Sequence, residues 1–293
     1  MKNLPPPSRD SDSSDLRKSV RRYKYRKKWH GHDITDNEVE QIVALYDQYE
    51  ADSGEASDSL KGERLQQILC EMIHSAYDKT QKKRILYSLR ERLFKGVELC
   101  PSCGIGAPYE LDHHLPRSIF KPLAIHARNL IPMCHPCNNK KKEVFGEEGI
   151  TGFLHPYYNV LPNVEFLRVV VSIQDEALVV YFSIDTTAAL PNGWAEKLLN
   201  QFDTLNLDDR YQQEVNTYVT SHAASLHVNY KQSGQEGVRN ILLLQSQFET
   251  TAFHRNHWRP VLLRALADLD EFTDGGFAVI YPIPESMIED MES

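Results

Sequence analysis

Two Cys-x-x-Cys pairs, separated by thirty residues, constrain the fold of this chain more than any other feature of its sequence. Each pair can place two thiolates on one cation, and two pairs complete the tetrahedral shell of four sulfurs that Zn²⁺ prefers. In a reducing compartment this spacing favours a metal site over a disulfide framework. The sequence therefore predicts a structural zinc ion bound by Cys100, Cys103, Cys134 and Cys137.

The segment that the two cysteine pairs enclose, from Cys100 to Cys137, is called the cysteine frame below. Residues inside it and just after it have side chains typical of catalytic and metal-binding sites. Asp112-His113-His114-Leu115-Pro116 lies between the pairs, Asn129-Leu130 follows, and Asn138-Asn139-Lys140-Lys141 comes after the last cysteine. Segment 98–146 resembles the HNH endonucleases of the His-Me finger, or ββα-metal, superfamily. Their pattern is C-x-x-C, D-H-x-x-P, N-L and C-x-x-C-N-x-x-K, and every position of it is filled here.

The resemblance implies a role for each matched residue. His113 falls on the general base that deprotonates the attacking water, and Asn129 falls on the asparagine that braces the histidine loop. Asp112 and Asn138 fall on the ligands of one catalytic Mg²⁺ or Mn²⁺ ion at the scissile phosphate. The implied elements are strands at 109–113 and 130–133 and a helix beginning at His135.

Elementary chemistry agrees with these roles. An imidazole with a pKa near ~6.5 can accept a proton from water at neutral pH. Oxygen ligands suit Mg²⁺ or Mn²⁺, and a cation offsets the charge that develops on a phosphate. Neighbouring residues of a strand face opposite sides, so the strand is expected to end or twist at Asp112 and His113.

Two positions of the pattern have alternatives. Some relatives with a His-His pair use the first histidine as a ligand and the second as the base, which would make His114 the base. The spacing to Pro116 favours His113. Asn139 competes with Asn138, and the position directly after the cysteine favours Asn138.

Basic residues suggest contacts with nucleic-acid phosphates. Eight of the twelve residues from Arg17 to Lys28 are Lys or Arg, and Tyr23, Tyr25 and Trp29 are interleaved with them or follow. Such a segment can follow a phosphate backbone while its rings stack on bases. The alternatives are a solvated basic tail and an arm that docks on an acidic partner, and the motif downstream favours nucleic acid. The residues predicted to contact nucleic acid are Arg22, Lys27, Arg117, Lys140 and Lys141.

Charge divides the chain into two halves. Residues 1–150 carry 25 Lys and Arg against 22 Asp and Glu, whereas residues 151–293 carry 8 against 19. We therefore expect an α+β protein with a basic, disordered arm at 1–30. A helical segment and the HNH nuclease core occupy 31–150, and an acidic α/β accessory or interaction domain occupies 151–293. The acidic half is a poor candidate for binding phosphates.

Apolar spacing predicts most of the remaining elements. A hairpin is predicted where "EFLRVVVSI" and "ALVVYFSI" flank "QDE", and a late strand at "GGFAVIYPI". Helices are predicted at 36–51, 60–78, 79–95, 208–230, 234–250 and 257–270.

The expected function is a metal-dependent HNH endonuclease that cleaves double-stranded DNA. The alternatives are a zinc-stapled nucleic-acid-binding module and a subunit that stays silent until a partner licenses it. An HNH core with a sizeable extra domain is similar to HNH subunits of bacterial anti-phage defence systems, which are often paired with an ATPase. The sequence contains no apolar run of membrane-spanning length and no secretory signal, so a cytoplasmic location is expected.

Overall fold

The computed structural model describes residues 1–146, 151–284 and 286–287. Helices alternate with two-stranded antiparallel sheets, which confirms the α+β class. The chain divides into two units. The first is Asn3–Leu161, and the second is Pro162–Ser293 together with Met1–Lys2.

Four helices and one hairpin precede the cysteine frame in the first unit. The start of the second helix is set by a capping box, in which the Thr35 hydroxyl accepts from the Glu38 amide and the Glu38 carboxylate accepts from the Thr35 amide. The elements are α1 (Asp12–Val20), β1 (Tyr23–Tyr25), β2 (Lys28–His30), α2 (Asp36–Ala51), α3 (Gln67–Ala76) and α4 (Tyr87–Phe94).

The prediction of a disordered arm at 1–30 is wrong. Leu16 and Val20 of α1 are fully buried in the core of the first unit, and residues 23–30 form the β1–β2 hairpin. The charged residues concealed the pattern, because Leu16 and Val20 lie four residues apart and form one apolar stripe on an otherwise polar helix.

Two strands and a helix follow within the cysteine frame. Strand β3 (Glu110–His113) pairs antiparallel with β4 (Leu130–Met133), with His113 opposite Leu130. Helix α5 (His135–Lys141) begins directly after Cys134, with a proline in its first turn, where the missing amide proton costs little. This order brings one face of β3 against α5.

The first unit extends past the predicted boundary at 150/151. His155 bonds to the Tyr49 hydroxyl at 2.9 Å, and the Tyr157 hydroxyl donates to the Leu130 carbonyl at 3.0 Å. Both rings are buried. Residues 151–161 therefore complete the core of the first unit, and the second unit begins at Pro162.

The second unit contains one hairpin and a set of helices. The predicted hairpin is confirmed as β5 (Leu167–Gln174) and β6 (Ala177–Ile184), joined at Asp175 and Glu176, both with positive φ. The helices are α6 (Trp194–Thr204), α7 (Leu207–Thr220), α8 (Ala223–Ala252), α9 (Trp258–Asp268) and α10 (Phe277–Ile280).

The late strand predicted at "GGFAVIYPI" is wrong. A short π-helix at Phe272–Gly276 leads into α10, and both Phe277 and Tyr281 are buried. These two rings are four residues apart, which places them on one helical face. The apolar run therefore packs as a helix. Across the described ranges, the structure contains no helix long and apolar enough to cross a membrane.

Candidate metal centre and active site

The four cysteines of the two pairs come together in one buried cluster. Their sulfur atoms all lie within 4.8 Å of one another, and the Cys103 and Cys134 sulfurs are 3.7 Å apart. A tetrahedral zinc ion with Zn–S bonds of ~2.3 Å has sulfurs about 3.8 Å apart, so the donor set fits the ion. The cluster could therefore hold a structural zinc, as the sequence predicts.

Each cysteine pair lies at a defined point of the backbone, the first in a tight turn and the second at a helix start. The Gly104 amide donates to the Cys100 carbonyl at 2.8 Å, and Gly104 adopts φ +69°, which turns the chain tightly around the first pair. The second pair lies at the start of α5. Hydrogen bonds among the thiols lower the pKa of Cys103 and Cys134 and raise that of Cys137, so the thiolate forms most readily at Cys103 and Cys134.

His113 ends β3 with its ring held in one orientation. Its Nε2 atom lies 2.9 Å from the Ala124 carbonyl oxygen, and the Tyr77 ring lies 4.6 Å away between centroids. A carbonyl only accepts, so Nε2 carries the proton and the neutral ring presents Nδ1 as an acceptor. Burial lowers the pKa of His113 to about 3, which keeps the ring neutral at pH 7.

Asn129 holds the loop that follows His113. Its side-chain oxygen accepts from the Leu115 amide at 2.8 Å, and its side-chain nitrogen donates to the Leu115 and Leu123 carbonyls at 3.0 and 3.3 Å. The side chain is fully buried. These hydrogen bonds fix the loop between Leu115 and Leu123.

Tyr49 and His155 support Asn129 from outside the motif. The His155 Nδ1 atom accepts from the Tyr157 amide at 3.1 Å, so Nε2 of the neutral ring carries the proton and donates to the Tyr49 hydroxyl. That hydroxyl in turn donates to Asn129 at 3.1 Å. Sequence reasoning missed both residues because no spacing rule links positions 49, 129 and 155.

Asp112 faces the opposite side of β3 from His113, as strand alternation requires. Its carboxylate is buried, 2.9 Å from the Lys141 ammonium, which also donates to the His113 carbonyl at 2.9 Å. Lys141 is only 1% exposed. The prediction that Lys141 contacts nucleic acid is therefore wrong, because its ammonium is occupied within the protein.

The predicted ligands of a catalytic ion are not assembled. The Asn138 amide nitrogen donates to Glu110 at 2.5 Å, and the other oxygen of Glu110 lies 2.8 Å from His135. Asp112 is paired with Lys141. With these partners, Asp112 and Asn138 do not form a ligand set for Mg²⁺ or Mn²⁺.

The two alternative positions have different surroundings. The His114 ring lies 4.2 Å from the His155 ring between centroids, and its amide donates to the Asn129 carbonyl. Asn139 is exposed on α5. His114 therefore packs towards the Tyr49–His155 pair, whereas Asn139 faces solvent.

The remaining predicted nucleic-acid contacts are near the surface. Arg117 is half-buried, stacked 4.6 Å from the Tyr77 ring and 3.2 Å from the His74 carbonyl. Lys140 is exposed on α5. Arg22 and Lys27 are exposed on the β1–β2 hairpin. The structure thus places Arg117 beside the His113 ring and the hairpin residues in a separate patch.

Comparison with known proteins finds one informative similarity. The chain is 26% identical to Protein ea31 of Escherichia phage lambda over 222 residues, which cover 68% of this chain and 70% of the relative. No family model matches the chain. No solved structure matches it either.

Proposed function

We propose that this protein is an HNH endonuclease that hydrolyses phosphodiester bonds of DNA. The orientation of His113 carries the proposal. Its Nε2–H is committed to the Ala124 carbonyl, so Nδ1 is the ring atom that can accept a proton from water. Asn129 locks the loop beyond it, which keeps this lone pair in place. A general base accelerates hydrolysis by roughly 10²–10⁴ when its pKa lies near the operating pH, and the low pKa of His113 makes it a weaker base than a free imidazole.

The ββα-metal core is part of the same proposal. Two observations support it. The segment contains β3, β4 and α5 in that order, and the cysteine pairs near its two ends form one cluster. The zinc would be structural, because a closed shell of four sulfurs leaves no position for water or phosphate. The resemblance adds a catalytic Mg²⁺ or Mn²⁺ ion at Asp112 and Asn138. A metal there would first have to replace the Asp112–Lys141 ion pair.

That ion pair also favours a second candidate function. With Asp112 neutralised by Lys141, the core could be a zinc-stapled nucleic-acid-binding module or a subunit that stays silent until a partner rearranges α5. A role in anti-phage defence and an ATPase partner remain predictions from architecture alone.

Plasmid nicking with Mg²⁺ or Mn²⁺, with and without a chelator, tests the proposal. His113→Ala should abolish nicking while folding, zinc content and DNA binding stay near wild type. His114→Ala is the matched control and should keep most of the activity. If His114→Ala is inactive and His113→Ala responds to added metal, the base is His114. If the wild-type protein binds DNA and never nicks it, the binding module is the correct function.

A further inference from the structure

An open groove of about 560 Å³ lies between α1, the β1–β2 hairpin and the loop before α4. Its lining includes six basic side chains and no acidic one. Two other surface grooves, of about 560 and 510 Å³, mix acidic and basic residues. The six cations are Lys18, Arg21, Arg22, Lys79, Lys83 and Arg84.

Nearby carboxylates neutralise only part of this charge. Asp33 lies 2.8 Å from Arg22, and Asp15 lies 3.6 Å from Lys18 while it also pairs with Arg92 at 2.6 Å. Lys83 and Arg84 are exposed. The groove therefore keeps a net positive charge along its length, which suits a ligand with several anionic groups in a row.

The hairpin beside the groove adds flat aromatic surfaces. Tyr23 lines the groove and stacks on His30 with their centroids 5.5 Å apart, and Tyr23 is 50% exposed. Arg26 and Lys27 form the turn with φ +46° and +65°. Glycine or asparagine would adopt that conformation with less strain, so the turn keeps two cations at some cost in backbone energy.

One short turn carries both a residue that lines the groove and a residue that packs on His113. The short 3₁₀ turn Tyr77–Thr80 places the Tyr77 ring against His113 and Lys79 in the groove. Lys79 is fixed there, since its ammonium donates to the Ser19 carbonyl. Two residues of chain span at most ~7 Å, so the residue that packs on His113 and a residue that lines the groove belong to one short turn.

We propose that this groove binds the phosphodiester backbone of a nucleic-acid strand and that the exposed ring of Tyr23 stacks on one of its bases. Spaced cations with an adjacent aromatic ring match the chemistry of such a strand, in which phosphates and bases alternate. The continuation of this strand towards His113 rests on the endonuclease function proposed above, whereas binding in the groove does not.

Fluorescence anisotropy with a labelled oligothymidylate of about 20 nucleotides tests the groove. The double variant Lys83→Glu and Arg84→Glu should weaken binding at least about tenfold. Each lost contact to a single strand removes about 0.7 from the slope of log affinity against log salt, so the slope should fall by about 1.4. The matched control is Arg64→Glu with Lys95→Glu, the same charge change at exposed sites of this unit, and it should bind as wild type.

Tyr23 provides a second measurement that charge alone would not change. Tyr23→Ala should weaken binding about 5- to 150-fold, the range expected for one stacked base, and leave the salt slope unchanged. Tyr23→Phe keeps the ring and should bind as wild type. Circular dichroism and thermal melting check that each variant folds.

Three outcomes would overturn the assignment. The first is equal weakening by the groove and control double variants. The second is binding of polyglutamate as tightly as the oligonucleotide, with the same loss in the groove variant, which would make the groove a dock for an acidic protein. The third is wild-type affinity in Tyr23→Ala, which would remove the stacked base.

The endonuclease proposal fails separately. If the wild-type protein never cleaves DNA while Lys83→Glu with Arg84→Glu loses oligonucleotide binding, the groove stands and the nuclease does not. If the wild-type protein cleaves DNA and the same double variant binds and cleaves normally, the groove assignment alone is wrong. His113→Ala should bind the oligonucleotide as wild type in either case.

Discussion

Replacing Tyr49 by phenylalanine should weaken both the stability of the first unit and its activity. The hydroxyl lies between His155 at 2.9 Å and Asn129 at 3.1 Å, and all three side chains are buried. Burial raises the pKa of Tyr49 far above its usual value, so the hydroxyl stays protonated and donates. Its removal leaves the His155 N–H without this partner, at about 1–3 kcal/mol.

Thermal melting by circular dichroism measures this loss. For a unit of this size each kcal/mol lowers Tm by about 2–4 °C. Nicking activity should fall more than DNA binding, because Asn129 then holds the loop after His113 less firmly.

Tyr46→Phe is the matched control for this experiment. Tyr46 is on the same helix and equally buried, but its hydroxyl donates to the Pro122 carbonyl at 3.3 Å and does not reach Asn129. This variant should lose at most about 0.5–1.5 kcal/mol and keep its nicking activity. Equal losses of activity in Tyr49→Phe and Tyr46→Phe, or an unchanged Tm in Tyr49→Phe, would refute the role assigned to the Tyr49 hydroxyl.

Three further predictions concern metal, charge and pH. Cys100→Ser or Cys137→Ser should unfold the core, because zinc contributes ~10–16 kcal/mol in small fingers. Metal analysis of the wild-type protein should find zinc, and a folded, zinc-free protein would refute this. Lys141→Met should destabilise the unit by about 3–5 kcal/mol in urea, since it leaves Asp112 charged and buried, whereas a surface lysine would change stability little. Burial holds the pKa of His126 well below its unfolded value of ~6.5, so the folded state binds fewer protons than the unfolded state. Stability therefore falls as the pH drops below ~6.5, by up to ~1.4 kcal/mol per pH unit for His126 and by a similar amount for His113. His126→Phe should remove the share of His126 from this slope in melts from pH 7 to 5 and leave that of His113.

Features that depend on residues close together in the chain could be predicted from the sequence. The two cysteine pairs predict the buried cluster, because a knuckle is built from residues close together in the chain. The fold class and the β5–β6 hairpin also follow from local patterns, since strand alternation and turn residues act over a few positions. A bracing role for Asn129 is implied by the resemblance and not by a spacing rule, and its side chain bonds to Leu115 and Leu123 in that loop.

Partners that lie far apart in the chain were decided by tertiary packing alone. No local pattern distinguishes a lysine that contacts phosphate from one that is buried against Asp112, and only the packing of α5 on β3 makes Lys141 the second kind. Burial of Leu16 and Val20 similarly turns part of a predicted disordered arm into a core helix. Tyr49, Asn129 and His155 meet because three distant segments share one core, and burial there favours side chains that satisfy one another's polar atoms.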